Sequence, residues 1–133
     1  MDGTDQRAAN NGDRPAPFSL TVAATADLSV ARSEIRAWLG HVLPDRHADE
    51  VLLAGGEALA NALEHGQAPV TVAMEWAEDA TLTLRVRDAG RWQVPASSPT
   101  RGRGIPIMSA LMDSFTVETK DGTAVQLRRK FGP

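Results

Sequence analysis

The sequence predicts an α+β fold, a two-layer sandwich in which a mostly antiparallel β-sheet carries three helices on one face. Two pairs of stretches alternate apolar and polar residues around short turns, which is typical of β-hairpins. Three other stretches repeat apolar residues with the helical period. Each therefore forms a helix with one apolar face, which must pack against another apolar surface. One face of the sheet can supply that surface, and the two layers then share a single core.

The composition is that of one globular domain. The chain has 133 residues, of which 42% are hydrophobic and 23% are charged, as in ordinary soluble domains. A formal net charge of −3 gives no global basic field that would attract nucleic acid. Cysteine is absent, which excludes disulfides, thiolate catalysis and cysteine-based metal sites. The sequence has neither a bilayer-spanning apolar run nor a secretory signal. We therefore expect a cytoplasmic protein that binds neither nucleic acid nor membranes.

The chain opens with a polar stretch. Residues 1–16 contain glycine, proline and polar residues but no large apolar residue after Met1, which predicts a disordered tail or a linker. We predict that the folded domain covers residues 17–131. Alternation of apolar and polar residues at 18–22 predicts its first strand.

The first helix is predicted from a stripe of apolar residues with helical spacing. The stripe begins at Leu28 and continues to Val42. Thr25 or Asp27 is suited to cap its N-terminus. Pro44 cannot continue a helix and closes the segment.

The second helix is predicted from about Arg46 to His65, with Asp45 as its N-terminal cap and Gly66 in the left-handed conformation that ends many helices. Its apolar side carries three leucines: Leu52, Leu59 and Leu63. Its other side carries polar residues, with His65 at the edge: Glu57, Asn61 and Glu64. A carboxylate and an amide one turn apart are neighbours on a helix surface. Taken alone, the stretch is equally typical of an amphipathic helix with a solvated polar face.

Strands resume after the second helix. Alternation from Val70 to Trp76 and from Thr81 to Arg87 predicts an antiparallel hairpin that turns at Glu78-Asp79. Residues 89–103 have no periodicity. A connection of this length is often a functional lid or a flexible loop.

The last part of the chain predicts a helix and a second hairpin. The helix begins at Gly104-Ile105-Pro106, because proline suits the first turn of a helix. A strand over residues 115–119 is joined by the Asp121-Gly122 turn to the last strand. One face of that strand carries Val125, Leu127 and Arg129.

Two short motifs could contact a nucleobase. Asp88 ends a strand, where its carboxylate could accept a hydrogen bond from an exocyclic amino group such as that of adenine. Gly90 would let a ring approach the backbone closely. The hydroxyl of Thr123, in Gly122-Thr123, could reach a base through water. Each motif by itself is also typical of an ordinary turn.

A third motif could contact phosphate. Arg101-Gly102-Arg103-Gly104 leads directly into a predicted helix. A helix N-terminus favours anions, and arginines suit phosphate oxygens. The alternative is a flexible, solvated basic loop.

Together these motifs resemble the Bergerat-type ATP-binding fold of the GHKL superfamily, which includes gyrase-type ATPases, one class of heat-shock chaperones, histidine kinases and some mismatch-repair proteins. Within it, the sequence is most similar to the anti-sigma-factor serine/threonine kinases of bacteria. Their Glu-x-x-x-Asn-Ala-x-x-His box matches Glu57 to His65, and their second glycine box matches Gly102 to Met108. The likeness covers about residues 18–130.

The resemblance implies a role for each residue of the site. Glu57 would be the general base, and Asn61 would coordinate Mg²⁺. Asp88 would bind the adenine amino group, Gly90 would give the ring room, and Thr123 would lie under the adenine. The residues implied to surround the phosphates of ATP are Arg101, Gly102, Arg103 and Gly104.

The resemblance also implies a function in transcription regulation and stress response. Such a protein uses ATP and Mg²⁺ to phosphorylate an anti-sigma-factor antagonist, and it holds a sigma factor inactive by binding it. These kinases are often homodimers. A second hypothesis is a nucleotide-gated partner-binding module without kinase activity, as one domain of a larger regulator. Trp92, which stands where many relatives have a second glycine, leaves this hypothesis open. A histidine-kinase catalytic domain fits Glu57 and His65 less well.

Overall fold

The computed structural model describes residues 15–90 and 104–132, and its elements follow the predicted order β-α-α-β-β-α-β-β. A short 3₁₀ turn at Thr25–Asp27 precedes the first helix. The elements are β1 (Phe18–Val22), α1 (Leu28–Val42), α2 (Asp45–His65), β2 (Val70–Trp76), β3 (Thr81–Asp88), α3 (Gly104–Leu111), β4 (Ser114–Glu118) and β5 (Thr123–Lys130). The predicted α+β class is confirmed.

The strands form one sheet in the order β1-β2-β3-β5-β4, and all the pairs that share hydrogen bonds are antiparallel. β3 and β5 are therefore neighbours, although α3 and β4 separate them in the sequence. Their register places Asp88, the last residue of β3, opposite Thr123, the first residue of β5. Two motifs that are far apart in the sequence thus meet at one end of the sheet.

A single core lies between the sheet and the helices. The fully buried large side chains come from both layers: Ile35, Leu39, Leu59, Met74, Leu82, Leu84, Met108 and Leu127. This arrangement buries the apolar faces that the helical and alternating patterns predict. Within the described residues, no helix is both long enough and apolar enough to cross a membrane.

The buried residues of α2 are mainly small, a feature that the leucine pattern does not predict. Leu59 is fully buried, but Leu52 and Leu63 are only partly buried beside the core. The buried small residues are Ala48, Ala54, Gly55, Gly56, Ala58 and Ala62. A Cβ atom on Gly55 would stand 2.7 Å from Cδ1 of Leu84. The backbone of α2 therefore lies unusually close to the sheet at this position.

The predicted N-terminal cap of α2 is wrong. Pro44 occupies the cap position of α2, and Asp45 is the first helical residue. The carboxylate of Asp45 instead accepts a hydrogen bond from Arg36 of α1 (3.1 Å), and Arg36 also donates to Asp49 (2.8 Å). Hydrogen bonds to Asp49 and Asp45 raise the pKa of Arg36. Asp27, one of the two candidates predicted for α1, occupies its N-cap position, but its side chain makes no capping hydrogen bond.

The two predicted turns are present. Asp121 and Gly122 both have positive φ, +57° and +102°, as a type I′ hairpin turn requires. In the β2–β3 turn, the carboxylate of Asp79 accepts a hydrogen bond from the backbone N–H of Thr81 (3.2 Å). Interaction with Thr81 lowers the pKa of Asp79.

The close approach of α2 to the sheet gives the first testable prediction. Gly55→Ala should lower the free energy of unfolding by about 1–2 kcal/mol, because overpacking against buried Leu84 outweighs the gain in helix propensity of about 1 kcal/mol. Gly40→Ala is the matched control, because Gly40 is exposed in α1 and its new Cβ would meet only the end of the Arg36 side chain. We expect the control to be neutral or to stabilise the protein by up to about 1 kcal/mol. Urea unfolding measures both, and equal effects would contradict the prediction.

Candidate functional site

The candidate site is built around the carboxylate of Asp88. Asp88 is 4% exposed, and its Oδ1 accepts hydrogen bonds from the backbone N–H groups of Gly90 (2.6 Å) and Gln67 (3.1 Å). A buried carboxylate is costly unless hydrogen bonds compensate its lost hydration. These two contacts orient the carboxylate and join the end of β3 to the segment that follows α2.

Three glycines pack closely against Asp88. A Cβ atom on Gly66 would collide with the carboxylate of Asp88, and one on Gly122 would collide with the Asp88 carbonyl oxygen. A Cβ atom on Gly90 would stand 2.9 Å from the backbone nitrogen of Gln67. Because all three positions exclude a side chain, the backbone can close around Asp88 from separate parts of the chain.

The predicted role of Gly66 is wrong. Its φ and ψ are −95° and −150°, which is extended backbone and not the left-handed conformation. α2 ends with a hydrogen bond from the Gly66 N–H to the carbonyl of Ala62 (2.8 Å). The requirement for glycine comes from the contact with Asp88, 22 positions further along the chain. Local sequence patterns carry no signal of a close approach between such distant segments.

Thr123 completes the wall of the site. It is 1% exposed, and its Oγ1 donates a hydrogen bond to the carbonyl of Gly90 (2.9 Å). The hydroxyl therefore holds the turn that follows Asp88. The structure thus brings three of the sequence-predicted residues together: Asp88, Gly90 and Thr123.

Glu57 and Asn61 lie one turn apart on α2, and both are partly buried. Within residues 15–90 and 104–132, neither side chain forms a hydrogen bond or an ion pair. Both side chains are therefore available to other groups. The neighbouring carboxylate of Glu64 instead lies 3.4 Å from Nε2 of His65.

The structure describes only part of the predicted phosphate motif, Arg101 to Gly104. Gly104 begins α3, as the sequence predicts. Arg101, Gly102 and Arg103 lie outside the described residues, as does Trp92. Their assigned roles remain predictions.

The donor set fits ATP and Mg²⁺. A buried, fixed carboxylate beside glycines suits an amino group on a flat ring. The amide oxygen of Asn61 is an oxygen donor of the kind that Mg²⁺ prefers. Among the described residues, no group of three or more acidic or histidine side chains could hold a metal alone. In nucleotide sites, Mg²⁺ is usually held by one or two protein groups together with the phosphates.

The sequence profile of the histidine kinase-like ATPase domain matches residues 21–129. The chain belongs to this family. The matched span contains every residue assigned to the site, and membership implies ATP binding, usually with Mg²⁺. A search of curated proteins found no match to this ATPase domain.

Solved structures share the fold. One is the structure of the RsbU and RsbW domains of Rv1364c from Mycobacterium tuberculosis. It is 25% identical in sequence to this chain, with a TM-score of 0.71, and the match covers 87% of this chain. This ATPase domain covers 32% of that chain, or about a third of its length. The neighbour supports the likeness to anti-sigma-factor kinases that the motifs indicate.

More distant structures show the fold alone. The blue-light activated histidine kinase of Erythrobacter litoralis EL346 is 22% identical, with a TM-score of 0.57, and the match covers 77% of this chain and 41% of that one. Its separate histidine kinase domain is also 22% identical, with a TM-score of 0.55, and the match covers 77% and 60% of the two chains.

The close contact between Gly66 and Asp88 gives a second prediction. Gly66→Ala should lower the free energy of unfolding by about 1–3 kcal/mol, because the new methyl group must displace the Asp88 carboxylate. The displacement should also shift the amide NMR signals of Gln67 and Gly90, which donate to that carboxylate. Urea unfolding and amide spectra test this, with Gly40→Ala as the control. Unchanged Gln67 and Gly90 signals would show that Asp88 tolerates the methyl group in place.

Proposed function

We propose that this domain is an ATP-dependent serine/threonine protein kinase and an anti-sigma factor. It phosphorylates an anti-sigma-factor antagonist and holds a sigma factor inactive, as a homodimer in the cytoplasm. The observation that carries the proposal is the pair Glu57 and Asn61, one turn apart on α2 and without partners among the described residues. Family membership and the RsbW-containing neighbour support it.

The adenine end of the nucleotide would bind at Asp88. Its carboxylate would accept a hydrogen bond from the exocyclic amino group, while Gln67 and Gly90 keep the carboxylate in place. Gly66 and Gly90 carry no Cβ atom that would press on the carboxylate or its donors, and Thr123 donates a hydrogen bond to the Gly90 carbonyl. The base would therefore meet a site that is already formed.

The phosphate end would lie toward α2 and the start of α3. The amide oxygen of Asn61 would hold Mg²⁺, and Glu57 lies one turn away. Bound Mg²⁺ would supply charge neutralisation at the phosphates. Arg101, Gly102, Arg103 and Gly104 would surround the same phosphates, with the N-terminus of α3 favouring their negative charge.

Glu57 would act as the general base. Its carboxylate would take the proton from a serine or threonine hydroxyl as the hydroxyl oxygen attacks the γ-phosphorus. The new O–P bond replaces the bond from the γ-phosphorus to the bridging oxygen, and ADP leaves. Because no ion pair within the described residues engages Glu57, its carboxylate is free to accept that proton.

The second candidate function is a nucleotide-gated binding module within a larger regulator. The observation that favours this context is the Rv1364c neighbour, of which this domain covers only 32%. Such a module would bind ATP and its partners without phosphorylating them. The role of Glu57 distinguishes the two functions.

The nucleotide site is tested by calorimetric titration with ATP, ADP and AMP, with and without Mg²⁺. Asp88→Asn should weaken the binding of all three nucleotides by about tenfold or more. The substitution replaces a carboxylate oxygen, which accepts a charge-assisted hydrogen bond, with an amide group that donates. Asn61→Ala should remove only the gain in affinity that Mg²⁺ provides. Asp27→Asn is the control, because Asp27 is exposed and makes no capping contact. No binding by the wild type at millimolar nucleotide would overturn the proposed function.

The kinase reaction is tested with Glu57→Gln and radiolabelled ATP. Phosphorylation of a purified anti-sigma-factor antagonist should fall by about 100-fold or more, because the amide cannot take the hydroxyl proton. ATP affinity should change less than about twofold, and binding of sigma factor and antagonist should persist. Glu64→Gln, an exposed glutamate on the same helix, is the control. A wild type that binds ATP but phosphorylates no antagonist would favour the binding module.

A further inference from the structure

Arg129 joins three elements at the end of the sheet opposite Asp88. It lies on β5 opposite Leu82, near the start of β3. Its Nη1 donates hydrogen bonds to Oε1 of Glu50 on α2 (2.9 Å) and to the carbonyl of Leu111 on α3 (3.0 Å). Its guanidinium carbon lies 4.6 Å from the centre of the Phe131 ring. The Arg129 side chain is 20% exposed, so water screens these contacts only partly.

The contact with Leu111 supplies what α3 lacks. α3 has only eight residues, Leu111 is its last, and its final turn has no basic residue. The last carbonyl groups of a helix have no partner within the helix, and they carry partial negative charge. The cation of Arg129 therefore stabilises the C-terminus of α3 from outside the helix.

The contact with Glu50 fixes the other end of the link. Seven residues separate Glu50 from Glu57, and four separate Glu57 from Asn61. These spacings place all three residues along one face of α2. α3 packs against α2 over an extended contact. Arg129 thus ties α3 to the same face of α2 that carries the candidate metal ligand and base.

A small change at this link would move the far end of α3. Eight helical residues span about 12 Å, so a tilt of about 10° around Leu111 would displace Gly104 by about 2 Å. Gly104 begins the helix whose N-terminus would face the phosphates. Errors of about 1 Å in positioning are enough to impair binding and catalysis.

We propose that Arg129 is a positioning residue for the phosphate end of the nucleotide. By tying the C-terminus of α3 to Glu50, it sets where α3 begins relative to Glu57 and Asn61. This inference rests on the proposed nucleotide binding at the α2–α3 face. Arg129 itself touches no reacting atom.

The first test separates phosphate contacts from base contacts. Arg129→Met keeps the apolar stem and removes the cation. It should weaken Mg²⁺-ATP binding by about tenfold and change AMP affinity less than about twofold, because Asp88 lies at the other end of the sheet. Arg129→Lys, which keeps the cation, should recover part of the ATP affinity. Arg128→Met is the matched control, because Arg128 is exposed and its side chain makes no hydrogen bond or ion pair within the described residues.

The second test needs no nucleotide. In the free protein, Arg129→Met should speed hydrogen exchange of the α3 amides, while the amides of β3 and β5 keep their protection. Arg128→Met should change neither the exchange of the α3 amides nor the protection of the β3 and β5 amides. Faster exchange throughout the sheet would instead show a global loss of stability and would overturn a positioning role.

The outcomes also separate this inference from the proposed function. If the wild type binds ATP and Arg129→Met binds it equally well, the positioning role is overturned and the nucleotide site stands. If ATP and AMP weaken together, Arg129 is structural only. If the wild type binds neither, the proposed function fails, and the positioning role fails with it even where α3 exchange responds.

Discussion

The close packing of α2 on the sheet is the constraint that positions the other helices. α1 and α3 each pack against α2, and α2 also contacts β2 and β3. Small residues make this possible, above all Gly55, where even a methyl group would press on Leu84. Packing density in a protein core leaves little room for adjustment. The distance between α2 and the sheet therefore fixes where Glu57 and Asn61 stand relative to the end of β3.

A second constraint acts at the Asp88 end of the sheet. A buried carboxylate needs hydrogen bonds, and here two backbone N–H groups supply them. One donor follows Gly66 and the other is Gly90 itself, while Gly122 packs against the Asp88 carbonyl oxygen. The carboxylate is therefore held by backbone groups and not by flexible side chains. Such a pre-formed acceptor loses little entropy when a ligand binds.

The two ends of the sheet have different tasks in this arrangement. In the function we propose, the Asp88 end would offer a fixed acceptor for the base, while the Arg129 end ties α2, α3 and β5 together through one guanidinium. α3 connects the two tasks, since its C-terminus is held at Glu50 and its N-terminus follows the segment that carries Arg101 and Arg103. The function we propose needs both ends, because a nucleotide has a base to orient and phosphates to hold.

By itself, the sequence determined the element order and the α+β class, and it supplied the candidate residues of the proposed site. Periodicity is a local property, so the strands, the helices and the Asp121-Gly122 turn could be predicted from short windows. The box from Glu57 to Asn61 could be found because its spacing also lies within one helix. Tertiary structure alone decided the strand order that pairs Asp88 with Thr123, the glycine requirement at Gly66 and the link from Arg129 to Leu111. Each of these depends on contacts between segments far apart in the chain, and the geometry of such contacts leaves no periodic trace in the sequence.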